Sequence, residues 1–245
     1  MSLNVNKTKM CIFGSKTTLR KLGPIEIHFG NAVIKPDEHL KCLGLTLDNR
    51  LTWKTHINNL TKKLNFSLNT LQTLKPFLTQ KNLLLLTNAL TLSNINYMAI
   101  IWGEAKNEDL KLVEKCVRRA GRLILDKTKK DKIRDEITTN LKWIFPTYLF
   151  QYKMCIFIHS ILFFPVHIPY FNNYLQTHDI PYNTRSYFQN FQSTRCINNY
   201  GTRKLSYIAN TLWRSIPIEI RRTEDTMLFK QDLRSYLLGQ QLNRV

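Results

Sequence analysis

Residues 39–57, HLKCLGLTLDNRLTWKTHI, contain the change of pattern that decides how the chain folds. Alternating leucines predict a strand over Leu40–Leu47, interrupted at Leu43-Gly44. The strand is expected to end at Asp48-Asn49, since this residue pair is typical of turns. A two-residue apolar period therefore stops within this stretch.

The residues that follow have the period of an amphipathic helix. From Trp53 to Leu71, apolar side chains recur at steps of three and four residues, with lysines and asparagines between them. We expect Thr52 to cap this helix and Trp53 to open it. A length of about five turns takes the helix to Lys75-Pro76, where the proline ends it.

Tryptophans and a histidine near these elements predict structural positions. Tryptophan at a helix start is more often a core anchor than a base-stacking platform, so we expect core positions for Trp53, Trp102, Trp143 and Trp213. His56 precedes the apolar stripe and has no second histidine at helical spacing. It is therefore expected at the surface or at the cap, without a metal ion.

The residues before this segment predict β-structure. Short apolar runs indicate strands over Lys9–Gly14, Ile25–Phe29 and Ala32–Ile34. Because Gly30-Asn31 separates the last two runs, Ile25–Ile34 is expected to form a tight hairpin.

The residues after it are mainly helical in pattern. The helix expected over Gln80–Leu92 is apolar on most sides, which predicts a central position in the core. Further helical segments are predicted over Ile95–Trp102, over Asn107–Leu125 and from Pro146 to about Phe164.

The end of the chain has mixed patterns. Residues 165–200 lack a period and predict a long loop region packed by aromatic side chains. A strand is predicted over Arg203–Ile208 and a helical turn over Ala209–Ser215. A closing helix is predicted over Thr226–Leu238, with inward side chains that include Leu228, Phe229, Leu233, Tyr236 and Leu237.

These elements predict an α+β fold with three regions. A small N-terminal antiparallel β-sheet is expected over residues 1–50, a helical bundle over 51–145 and a mixed C-terminal region over 146–245. The 245 residues, 43% of them hydrophobic, are enough for a sizeable core.

Charge favours a polyanionic partner. The chain has 36 Lys and Arg against 17 Asp and Glu, a formal net charge of +19. Such an excess attracts phosphates, and its spread along the chain fits nucleic acid better than a membrane surface. RNA, DNA or an RNA–DNA hybrid, held through backbone phosphates, is the expected partner.

The cysteines and the hydropathy of the chain argue against a disulfide-rich, membrane-spanning or secreted protein. Five dispersed cysteines without a Cys-x-x-Cys pair predict buried free thiols, and not a disulfide framework or a zinc knuckle. Met154–Phe164, the most apolar stretch, is too short to cross a bilayer, and the polar Met1–Lys9 is unlike a signal peptide. We therefore expect an intracellular, soluble protein in the nucleus or the cytoplasm.

Several short segments, taken in order, resemble the reverse transcriptases of non-LTR retrotransposons of the jockey-like kind. By this resemblance, the segments correspond to the end of the palm, the thumb and the tail of those polymerases. The segments are Leu3–Met10, Lys41–Asp48 with Leu51-Thr52-Trp53 and His56-Ile57, Asn96-Tyr97 with Trp102-Gly103, Tyr182–Ser186, Leu212–Pro217, and Phe229-Lys230 with Leu233 and Tyr236–Leu238. By this resemblance, residues 1–50 are a palm remnant with a primer-grip-like strand, and residues 51–145 are thumb-like.

The catalytic residues of that family have no counterpart in this sequence. Its polymerases hold two metal ions with aspartates, including an adjacent pair on a hairpin, and the sequence contains no Asp-Asp. We therefore expect no catalytic residue, no resident cofactor and no activity in this chain alone, with Mg²⁺ needed only by a complete polymerase. The resemblance implies that a longer product would supply the fingers and the missing palm segment.

The resemblance implies four nucleic-acid contacts near the N-terminus. Lys7 or Lys9 would lie near the phosphates of the incoming nucleotide, and the alternative is a solvated lysine at a strand entrance. Leu43 and Gly44 would belong to the primer grip, where a glycine lets the two backbones approach closely. The alternative is a bulge at Gly44 in an ordinary strand. Cys42 replaces the tyrosine usual at that position, so a stacking contact there is missing.

Further basic residues are candidates for phosphate contact. The densest group is Arg118, Arg119, Arg122, Lys129 and Lys130, on a helix and the connector after it. The alternative is a solvated face. Arg185, in the Tyr182–Ser186 segment, is a further candidate, or else it pins a loop by hydrogen bonds.

Two functions therefore remain open from the sequence. The first is a C-terminal fragment of a retrotransposon RNA-directed DNA polymerase that retains non-specific nucleic-acid binding. The second is a non-catalytic structural or interaction protein derived from such an element.

Overall fold

A computed structural model describes residues 8–29, 32–164, 169–172 and 201–243, with the single residues 175, 191 and 196. It confirms the α+β class, because two antiparallel two-stranded sheets near the N-terminus are followed by helices. The chain divides into two compact units. The first takes in Met1–Met98 and Ala105–Ala120, and the second takes in Ala99–Glu104 and Gly121–Val245. The region boundaries near residues 50 and 145 stay predictions.

The first sheet of unit 1 confirms the predicted N-terminal hairpin. Strand β1 (Ile27–Phe29) pairs antiparallel with β2 (Ala32–Ile34), with Ile27 opposite Ile34. The predicted turn at Gly30-Asn31 lies outside the described residues.

The strand predicted over Lys9–Gly14 is wrong. Met10 makes one isolated parallel bridge, to Pro36, and a proline has no N–H with which to extend a ladder. Helix α1 (Lys16–Lys21) begins soon afterwards, because Ser15 Oγ accepts a 3.0 Å hydrogen bond from the N–H of Thr18.

The second sheet corrects the single strand predicted over Leu40–Leu47. Two strands, β3 (His39–Cys42) and β4 (Leu45–Asp48), pair antiparallel around a turn at Leu43-Gly44. Gly44 is therefore neither a bulge nor a mid-strand residue.

Helix α2 (Lys54–Leu74) confirms the predicted amphipathic helix and its end at Lys75. Its apolar stripe is buried: Ile57, Leu60, Leu64, Leu68 and Leu71. The cap predicted at Thr52 is wrong, because Trp53 is the N-cap residue of α2 and no side chain caps the helix there. The carboxylate of Asp48 instead holds the turn that precedes the helix. It accepts hydrogen bonds of 2.9–3.1 Å from the N–H groups of Arg50, Thr52 and Trp53.

The rest of unit 1 differs from prediction in two places. Helix α3 (Gln80–Thr87) continues into a π-helical turn over Asn88–Leu92 and then α4 (Ser93–Asn96). Leu85 is 63% exposed, so the central position predicted for this helix is wrong. The helix predicted over Ile95–Trp102 stops at Tyr97, which is extended, and α5 (Ala99–Trp102) lies in unit 2.

Helix α6 (Asn107–Leu125) confirms the helix predicted over these residues, and it begins in unit 1 and ends in unit 2. One of its faces is buried: Leu110, Val113, Cys116, Val117, Ala120 and Ile124.

Unit 2 continues mainly with helices within the part that is described. They are α7 (Arg134–Thr139), α8 (Pro146–Phe163), α9 (Pro169–Asn172), α10 (Leu205–Arg214), α11 (Ile218–Arg221) and α12 (Thr226–Leu242). Trp213, Phe229 and Leu233 are fully buried in its core. The buried side chain of Gln241 accepts a hydrogen bond from the N–H of Phe145 and donates one to the carbonyl oxygen of Trp143.

Two predictions for unit 2 are wrong. The strand predicted over Arg203–Ile208 is a 3₁₀ turn over Gly201–Arg203 followed by α10, whose period of 3.6 buries Ile208 and Ala209. Leu228 is 54% exposed, because the inward stripe of α12 consists of Phe229, Leu233 and Leu237. Most of the long loop predicted over 165–200 lies outside the described residues.

The tryptophans and cysteines mostly follow the predictions. Trp53, Trp102, Trp143 and Trp213 are buried. The cysteines are free thiols, but Cys42 is exposed, so burial of all five is wrong. None of the described helices is long and apolar enough to cross a membrane.

Candidate nucleic-acid interface

The turn between β3 and β4 has a conformation that only glycine adopts easily. Its two central residues have positive φ, 45° at Leu43 and 81° at Gly44, as in a type I′ turn. Leu43 is 74% exposed at the tip. The glycine is required because an L-residue at its φ is strained.

Tyr97 fixes this turn in place. Its hydroxyl donates a 2.7 Å hydrogen bond to the carbonyl oxygen of Leu43. A Cβ on Gly44 would lie 3.4 Å from the Tyr97 ring, so the glycine also lets the turn approach the ring. Tyr97 can reach this position because α4 ends at Asn96 and the backbone becomes extended.

A cross-strand pair next to the turn joins the hairpin to α2. Lys41 lies opposite Thr46. The N–H of Thr46 points away from β3, since this pair is a non-hydrogen-bonded one, and it donates a 3.4 Å hydrogen bond to Nδ1 of His56. This bond leaves the proton of the neutral imidazole on Nε2.

His56, which was predicted at the surface or at the cap, is instead a buried residue in the first turn of α2, with 8% of its surface exposed. Burial lowers the pKa of its imidazole below the ordinary value of 6.5. Helical spacing explains the position, because His56, Asn59 and Lys63 lie on one face of α2, beside the apolar stripe.

These residues surround an open cleft of about 770 Å³ within unit 1. Its lining comes from the hairpin, α2 and α4: Lys41, Gly44, Thr46, His56, Asn59, Leu60, Lys63, Ser93, Asn94 and Tyr97. No Asp or Glu is among these lining residues, and Lys41 and Lys63 form no ion pair within the described chain. The cleft therefore carries positive charge, amides, hydroxyls, the imidazole of His56 and the phenol ring of Tyr97.

Of the predicted site residues near the N-terminus, Gly44 lines this cleft, and Leu43 is its exposed neighbour at the tip of the hairpin. Lys9 instead lies 3.7 Å from the carboxylate of Asp37. Lys7 and Arg185 lie outside the described residues.

The predicted arginine cluster makes contacts within the protein. Arg118 forms a 2.6 Å ion pair with Glu114, and Arg119 donates hydrogen bonds to Asn65 and Asn69. In unit 2, Arg122 donates to the carbonyl oxygen of Asp131, while Lys129 and Lys130 are exposed. None of the five lines the cleft.

The sequence prediction did not include the cleft residues Lys41, Asn59, Lys63, Asn94 and Tyr97 as contacts. A signal was present for Asn59 and Lys63, which repeat at helical spacing from His56. Lys41 precedes the turn by two residues, and Tyr97 stood out only as part of a family motif. Nothing local in the sequence shows that α4 packs beside the hairpin.

The site was compared with metal-ligand clusters and with known proteins. No group of three or more His, Cys, Asp or Glu side chains comes together among the described residues. No protein family, curated protein or solved structure matches this chain.

Proposed function

We propose that this chain binds nucleic acid through the cleft beside the Leu43-Gly44 turn, as the palm end and thumb of a non-LTR retrotransposon reverse transcriptase would. RNA, DNA and RNA–DNA hybrids are its ligands, held through their backbone phosphates. The observation that carries the proposal is the cleft with Lys41 and Lys63 and no acidic lining residue.

The physical reason is electrostatic. Two ammonium groups without an acidic neighbour favour a polyanion, and a net charge of +19 raises its local concentration. Phosphate contacts of this kind release counterions, so binding weakens as salt is added. Without contacts that distinguish bases, such binding is largely independent of nucleotide sequence.

This function is binding and not polymerisation. Nucleotide transfer by this class of enzyme requires aspartates that hold two metal ions, and no adjacent aspartate pair occurs in the sequence. The chain alone is therefore expected to add no nucleotide to a primer, with or without Mg²⁺. An intracellular location belongs to the same proposal, because free thiols and an RNA or DNA ligand both fit it.

Fluorescence anisotropy with a labelled RNA–DNA hybrid tests the proposal. The dissociation constant is measured from 50 to 300 mM salt, and we expect log K to fall linearly with log salt. A parallel primer-extension assay with Mg²⁺ and nucleotides is expected to yield no product. Absence of binding to every polyanion at low salt, or extension of the primer, would contradict the proposal.

A second candidate is a non-catalytic structural or interaction protein derived from a retroelement. The exposure of large apolar side chains in unit 1, Phe66 and Phe77 among them, favours it. The two candidates separate in the same assay, since only the first predicts salt-dependent binding.

A further inference from the structure

We propose that the cleft accepts a single-stranded segment, with one unstacked base on the ring of Tyr97 and the adjacent phosphates beside Lys41 and Lys63. This inference rests on the proposed function and names the form of nucleic acid that the same site prefers. Single strands and the frayed ends of duplexes would bind with a base on the Tyr97 ring. The interior of a duplex would not bind in this mode.

The first argument is the way Tyr97 is held. Half of the residue is exposed, although its hydroxyl is fixed to the carbonyl oxygen of Leu43 and its ring lies against Gly44. An aromatic ring held in one orientation at the edge of a cationic cleft is a platform on which any base can stack.

The second argument is the polar lining. Asn59, Asn94 and Ser93 line the cleft together with the ring. Amides and hydroxyls offer both donors and acceptors to the edge of a base or to a ribose hydroxyl. Lys41 and Lys63 are the cations of the same lining, so a nucleotide would meet its three kinds of partner in one cavity.

The third argument excludes a paired base. In a duplex both faces of each base are covered by its neighbours, so a ring in the protein can stack only on a base that has left the helix. The volume of about 770 Å³ lies within the range of pockets that hold a small molecule. It is therefore large enough for a nucleotide unit.

The test uses a 12-nucleotide single strand with 2-aminopurine at one position, whose fluorescence falls when the base stacks. We expect the emission of 2-aminopurine to fall as the full-length protein is added, over the concentrations at which anisotropy shows binding. Binding without any change in emission at each of several label positions would overturn the inference. It would leave the proposed function intact, because phosphate contacts alone give the anisotropy signal.

Variants of Tyr97 provide the second measurement. Tyr97→Leu is expected to weaken binding of the single strand about tenfold and of a duplex less than twofold, while Tyr97→Phe keeps the ring and most of the affinity. A fully abasic strand removes the stacking partner from the ligand, so Tyr97→Leu should not weaken its binding. Equal losses for single strand, duplex and abasic strand would contradict stacking. If Tyr97→Leu fails to fold, the 2-aminopurine result for the unmodified protein still decides.

Discussion

The hydroxyl of Tyr97 lies 2.7 Å from the carbonyl oxygen of Leu43, 54 positions earlier in the chain. This one hydrogen bond joins the residue after α4 to the tip of the β3–β4 hairpin. Because Leu43 and Gly44 both have positive φ, the turn has little conformational freedom. The relationship therefore fixes the geometry of one side of the cleft.

Loss of this hydrogen bond should lower stability slightly. We expect Tyr97→Phe to reduce the free energy of unfolding by about 0.5–1 kcal/mol, since the bond is exposed and water can replace it. Urea unfolding measures the change. Tyr152→Phe is the control, because no hydrogen bond of the Tyr152 hydroxyl is found in the described chain. A larger loss for the control would contradict the role given to Tyr97.

Substitution of the turn glycine should cost more. Gly44→Ala places a Cβ 3.4 Å from the Tyr97 ring at a φ of +81°, which we expect to cost about 1–2 kcal/mol. In Gly23→Ala the new Cβ meets no atom within 4 Å, so this control should change stability little or raise it. Equal effects of the two substitutions in thermal unfolding would show that the turn is not constrained as described.

The Asp48 carboxylate should make unit 1 sensitive to acid. Burial opposes its ionisation, but hydrogen bonds from the N–H groups of Thr52, Trp53 and Arg50 outweigh burial and lower its pKa. The stabilisation is therefore present above about pH 4, the usual value in an unfolded chain, and is lost as pH falls through the lower folded pKa.

Asp48→Asn tests this contribution. At pH 7 we expect a loss of about 1–2 kcal/mol, because hydrogen bonds to a charged acceptor are weakened, together with a weaker decline of stability between pH 5 and pH 3. Thr52→Ala is the control, since it removes only the side-chain hydrogen bond to Asp48. Parallel acid profiles for the original protein and Asp48→Asn would contradict the assignment.

Glu104 should give unit 2 the opposite dependence of stability on pH. Burial raises its pKa to about 7, although the charge of Arg203 acts against the rise. An unfolded chain ionises this carboxyl first, so its contribution to stability is full below about pH 4.5 and is lost as pH rises through 7.

Glu104→Gln should remove that dependence. Between pH 5 and pH 8 we expect the difference in free energy of unfolding between variant and original protein to shift by about 1 kcal/mol in favour of the variant, after allowance for solvent screening. Thermal unfolding at both pH values measures it. Glu224→Gln, at an exposed position of the same unit, should show no such shift.

The parts of the fold that the sequence predicts well are those with a repeated local signal. Helices α2, α6 and α12 have apolar stripes at helical spacing, and α8 is a long apolar segment that begins at a proline, so their positions follow from local sequence. The β3–β4 turn was missed because Leu43 occupies a positive-φ position that leucine seldom adopts. The role of Asp48 was missed because its carboxylate accepts hydrogen bonds from N–H groups two, four and five positions later.

The site was predictable only in part. Gly44 was named from the family resemblance, whereas Lys41, Lys63 and Tyr97 meet because three separate elements pack together. The arginines of α6 formed the denser cluster in the sequence. Arg118 pairs with Glu114 one helical turn away on α6. Arg119 donates to Asn65 and Asn69 of α2, which lie 54 and 50 positions earlier in the chain, and nothing local in the sequence shows this contact.

The most direct test compares two pairs of lysines in unit 1. Lys41→Gln with Lys63→Gln removes the charge of the cleft, and Lys111→Gln with Lys115→Gln removes the same charge from exposed positions of α6. We expect the cleft pair to weaken hybrid binding about tenfold at 100 mM salt and to reduce the salt slope by about two, with a much smaller effect of the α6 pair. Equal losses for both pairs would show that binding depends on net charge alone, and would contradict the cleft as the nucleic-acid site.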